Sequence, residues 1–158
     1  MIQPIEAAIV AQLASWPDLA PFQVEAWPEK VSEYKLRSPN GAVLVTFKGS
    51  HYGRVFPTDI VAQERVMEFE ITTMVRNLRD HTGGYTVLDA IRLALTGFIG
   101  PGFNSGAFFT REGFIAEADG VYEFASYLSV PTTSVQREPE AEADWGVFRE
   151  SIPEQEIL

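Results

Sequence analysis

At 158 residues with a formal net charge of −10, 46 % apolar and 22 % charged residues, the chain has the size and composition of one globular domain that buries a core without crosslinks or metals. It contains no cysteine, which excludes disulfides, thiol catalysis, thiolate zinc sites and iron–sulfur ligation. No apolar run nears the roughly 20 residues that cross a bilayer and no basic stretch leads an apolar one at the N-terminus, so neither membrane insertion nor secretion is expected, and the scattered Lys and Arg disfavour nonspecific binding to nucleic acid.

In chain order, Ile5, Ile9 and Leu13 recur every fourth position, which predicts an amphipathic helix over 2–14, with Pro4 in its first turn and Trp16-Pro17 closing it. Residues 22–27 alternate apolar with polar and predict a short half-buried strand ended by Pro28. Pro39-Asn40-Gly41 marks a turn. Ala42–Phe47 is almost continuously apolar and β-type, so this strand is expected inside a sheet with both faces covered. Residues 48–65 hold breakers and little periodicity and predict a long loop with at most one helical turn near 59–64. Met67, Phe69, Ile71, Thr73 and Val75 then stand at strict period two, the clearest strand in the chain.

His81-Thr82-Gly83-Gly84 breaks that pattern, and Thr86 with Asp89 predicts an N-cap for a helix over 87–95 whose stripe is Leu88, Ile91 and Leu95, stopped at Gly97. Residues 97–103 are too rich in glycine and proline for regular structure, so a loop is expected that leaves its aromatics exposed or covered by a partner. Two strand-like runs, 108–118 and 121–130, flank Asp119-Gly120, the strongest short hairpin signal. The fold class expected is therefore α+β, a mixed, mostly antiparallel sheet of about five strands flanked by two main helices. Pro131 ends the pattern. A domain over 1–131 is followed by an acidic tail, 132–158, which cannot bury a core of its own yet carries Trp145 and Phe148 for docking on its own domain or a neighbour.

Chemistry is sparse. Glu68 and Glu70 share one strand face about 7 Å apart by the strand rise, but alternate charges are how a solvated sheet face ordinarily looks. His51 and His81 lack any metal-ligand spacing, no GxSxG elbow occurs, and the 97–102 loop follows a helix where a phosphate cradle would precede one. No catalytic residue, metal ligand or cofactor site is expected. Lys48, His51 and Arg54 offer an anion patch whose ordinary reading is solvated surface. Extensions carrying aromatics and arginine suit interfaces, and the candidate interface residues are Lys48, His51, Tyr52, Arg54, Phe56, Phe98, Phe103, Trp145 and Phe148.

The order helix, strand, strand, long loop, long strand, helix, hairpin and tail, together with Leu-Asp-Ala-Ile-Arg-Leu-Ala-Leu-Thr-Gly at 88–97, resembles the small tail proteins of phages, in particular the Mu-like prophage tail-terminator family, over residues 1–131. The resemblance implies no catalysis. It implies a structural protein that forms a homo-oligomeric ring, a hexamer being the expected stoichiometry, caps the tail tube and offers a surface to the head-completion or connector protein. Its partners would be copies of itself, the tube protein and the connector, with no nucleic-acid specificity and no membrane. It would occupy the host cytoplasm during assembly and the virion tail afterwards. Two alternatives stand beside it: a small-ligand-binding domain or enzyme using a cleft near Arg76, His81 and the 97–106 loop, or another tail component such as a tube or baseplate adaptor.

Overall fold

A computed structural model of the chain describes residues 1–30 and 36–137. Trp145 and Phe148 lie outside the described residues. The elements are α1 (Ile2–Ala14), a 3-10 turn (Pro17–Leu19), β1 (Gln23–Ala26), β2 (Gly41–Val55), β3 (Ala62–Val75), α2 (Gly84–Leu95), β4 (Phe108–Ala118) and β5 (Val121–Val135). The strands form one five-stranded sheet in the order β1-β2-β3-β5-β4. Only β1 runs parallel to its neighbour, β2; the other pairings are antiparallel. The fold is α+β, as the pattern predicts.

The period-two residues explain the layering. Met67, Phe69, Ile71 and Val75 of β3, Val43 and Val45 of β2, and Phe124, Leu128 and Val130 of β5 form one buried cluster with Ile5, Ile9 and Leu13 of α1 and Val87, Ile91 and Leu95 of α2. Both helices therefore cover the same sheet face. The register sets Phe69 opposite Phe47 and Leu128, with the Phe47 and Phe69 rings 5.5 Å apart. Two hydroxyls interrupt this core, because Thr73 and Ser126 are buried and neither side-chain oxygen has a hydrogen-bond partner.

Four departures from the sequence reading have physical causes. Residues 48–65 are no long loop. The chain continues as the outer halves of β2 and β3, paired from Gly49↔Glu68 to Val55↔Gln63, with the turn confined to 56–61 and closed by Phe56 N–H donating to the Ala62 carbonyl at 2.8 Å. This extension lies beyond the helices, so few apolar residues are needed and the period-two signal fades. The second helix starts at Gly84 and is not capped by Thr86, whose hydroxyl donates to the Asp80 carbonyl at 3.2 Å. Instead the N–H groups of Gly84 and Tyr85 donate to the carbonyls of Asn77 and Leu78 at 2.9 and 3.1 Å. A Cβ on Gly83 would stand 2.5 Å from the Leu78 carbonyl carbon, so the glycine is what admits this close return of the loop.

Phe98 and Phe103, expected exposed or covered by a partner, are half-buried against the chain's own core and meet edge to face at 5.5 Å. Finally, Pro131 does not end the last strand. β5 runs through it to Val135, with Pro131 opposite Val66. The Pro131 carbonyl accepts from Asn104 N–H at 2.8 Å, on the side where β4 has already ended. The missing N–H faces that same side, so no ladder bond to β3 is lost. The hairpin at 119–120 does form, with Asp119 at φ 53° and Gly120 at φ 77°, the two positive values of a type I′ turn.

Candidate assembly surface

The face and edges that the helices leave uncovered hold the predicted interface residues of β2. His51, Tyr52 and Arg54 are exposed along its outer half, and Phe56 is half-buried in the turn. Register places Tyr52 opposite Arg65 on the side continuous with the helix face, and His51 opposite Val66 on the other. Arg65 ties the extension together: its guanidinium stands 5.6 Å from the Tyr52 ring centre, its Nε donates to Ser50 Oγ at 3.0 Å, and its carbonyl accepts from Thr132 Oγ1 at 2.7 Å. Arg54 lies over Phe56 at 5.5 Å. Lys48 pairs with Glu70 at 3.2 Å on the sheet face opposite the helices. The structure thus brings Lys48, His51, Tyr52, Arg54 and Phe56 onto one projecting hairpin and sets Phe98 and Phe103 apart from it, on the core.

A second surface is not among the residues singled out from the sequence. Every residue of β4 except Phe109 is exposed, and Phe108, Phe114 and Ile115 present large apolar side chains, with Phe114 58 % exposed. β4 is an edge strand, so among the described residues its outer N–H and C=O groups have no strand partner. Its register with β5 shifts between Phe109 and Arg111 and again between Phe114 and Ala116. The sequence carries a signal for this. Phe108-Phe109 and Phe114-Ile115 put adjacent apolar residues into a strand, which no single buried face can absorb.

Two shallow grooves accompany these surfaces. One, about 410 Å³, lies between α1 and β1 and includes Val10, Val24 and Glu6; burial there raises the Glu6 carboxyl above its ordinary pKa. The other, about 340 Å³, lies on the sheet face opposite the helices and includes Trp27, Lys48, Glu70 and Glu123. The cleft required by the ligand-binding alternative is not assembled. Arg76 and His81 precede α2 while the 97–106 loop follows it, and twelve helical residues separate the two ends by about 18 Å. Asp80 does not orient His81 either, since its Oδ1 accepts from Thr82 N–H and Oγ1 at 2.9 and 3.0 Å. Among the described residues, no group of three or more His, Cys, Asp or Glu is placed to hold a metal ion, and no helix is long and apolar enough to cross a membrane.

The architecture is therefore an α+β sheet with both described helices on one face, a projecting hairpin and an exposed edge strand. Within that class, the chain belongs to the Gp37 protein family, which matches residues 9–145. The match continues past β5 into the acidic segment. No curated protein matches the chain in sequence. In structure it is similar to a chain of the virion of native gene transfer agent (GTA) particle, with a TM-score of 0.54 and 14 % identity over 84 % of this chain and 97 % of that one. At that identity the likeness is one of fold.

Proposed function

We propose that the chain is a structural component of a phage-type tail, of the terminator kind: a homo-oligomeric ring, six copies being the proposed stoichiometry, that caps the tail tube and presents the joining surface to the head connector. The observation that carries this reading is the pairing of a projecting hairpin with an uncovered apolar edge on one small domain, two different surfaces such as head-to-tail assembly requires. Membership of the Gp37 family and the fold shared with a virion chain support it. The role is architectural and calls for no cofactor or catalytic group. Its partners are further copies of the chain, the tube protein and the connector, met in the host cytoplasm during assembly and retained in the virion tail.

Deleting the gene from the particle that encodes it tests this directly. The expected product is tails of uncontrolled length without heads, corrected by supplying the intact protein. Normal-length tails joined to heads in the deletion strain would refute the role.

A further inference from the structure

Among the described residues the sheet is open along β4 on one side and, on the other, along β1 and the outer stretch of β2, because β1 pairs only with Ala42–Val45 and no described strand lies beside Thr46–Val55. We propose that β4 of one copy pairs with this outer stretch of β2 in the next copy, joining neighbouring sheets into one continuous sheet around the assembly. The proposal rests on the tail-assembly reading and specifies its subunit contact.

Strand direction already fits. β2 and β5 run one way and β3 and β4 the other, so a second copy in the same orientation brings β2 beside β4 antiparallel. The edges are offset along the strands. Phe108 stands level with Gly49 through Ser129 and Glu68, and from there β4 runs toward the Gly41 end of the sheet. The free stretch of β2 lies at the opposite end, so pairing must slide each copy along its neighbour's strands. That stagger is the shear a sheet needs in order to close on itself.

Irregularities limit where pairing can occur. The register breaks in β4 leave Arg111–Phe114 as an unbroken run, and those in β2 leave Gly49–Tyr52. Bulged edges resist indiscriminate pairing, so the two short runs favour one partner over many. Charge supports the same match. β2 carries Arg54, and Lys48 already paired with Glu70, and no acidic residue, whereas β4 carries Glu112 and Glu117 against Arg111, with Asp119 just beyond. Pairing β4 with β4 would instead close a two-fold dimer and leave the β2 edge unused.

The absence of cysteine from the chain makes disulfide trapping free of background. Full-length His51→Cys or Tyr52→Cys protein is mixed with Glu112→Cys or Phe114→Cys protein at high concentration, with and without tail tubes, and oxidised. Disulfide-linked dimers are expected in the β2-with-β4 mixtures at about tenfold or more above either variant alone; with the Tyr52→Cys and Phe114→Cys pair, Arg54→Glu lowers that yield about tenfold and Glu112→Arg in the partner restores it. Trapping of β4 with β4 only, or no trapping in any mixture, overturns the pairing. Sedimentation of the unmodified protein separates the two failures. Oligomers without β2–β4 trapping leave the assembly reading standing, whereas a monomer that also fails to bind tubes removes both.

Discussion

The two halves of β2 share a backbone and a partner strand but differ in what surrounds them. From Gly41 to Val45 every residue is buried, between β1 and β3 and over the helices; from Tyr52 to Val55 every residue is exposed. The inner half belongs to the cluster that holds the fold together. The outer half is held by ladder bonds and by Arg65, and its side chains are free to contact something else. A single strand thus carries stability at one end and the exposed residues of the proposed assembly surface at the other, and substitutions at the two ends are expected to have separable effects.

The largest effect is expected at the inner end. Phe69→Ala removes a fully buried ring that packs on Phe47 and should cost about 3–5 kcal/mol, read as a lower urea midpoint with unchanged slope. Next comes the closing hairpin, where Gly120→Ala places a side chain at φ 77° and should cost roughly 1–2 kcal/mol in the same titration. The opposite sign is expected for Thr73→Val, which replaces a buried, unpartnered hydroxyl by a methyl of similar shape; thermal melts should show a gain of about 1 kcal/mol. Smallest of all are changes at the outer end and the bare edge. Tyr52→Ser and Ile115→Ser, at side chains 55 % and 51 % exposed, should each shift stability by no more than about 0.5 kcal/mol.

The same contrast explains what could be read from the sequence. Apolar periodicity records burial, and it located α1, the inner part of β3 and the second arm of the last hairpin because each turns one face to the core. Ala62-Gln63-Glu64-Arg65-Val66 is as regular a strand as the residues after it, but with no helix above it the sequence has nothing to alternate. Gly49 and Gly53 then read as loop breakers although one sits at a register shift and the other within the strand's irregular end. Five of the candidate interface residues were picked by aromatic and cationic character on that misread segment, and the structure places all five on one hairpin. That Phe98 and Phe103 pack partly on the core could not be read, because a Gly-Pro loop conceals that its aromatics fold back. The β4 edge was missed because edge position is a property of sheet order, which only the long-range pairing of β5 with β3 decides.

The central claim is that the outer end of β2 and the β4 edge serve assembly and contribute little to folding. Sedimentation velocity on the full-length protein with tail tubes, comparing the unmodified chain with the Tyr52→Ser, Ile115→Ser double variant, tests it most directly. The account predicts co-sedimentation of the unmodified chain as an oligomer on tubes, and a variant of nearly unchanged melting temperature that stays behind as monomer. Equal association of the two proteins, or no association of either, would contradict it.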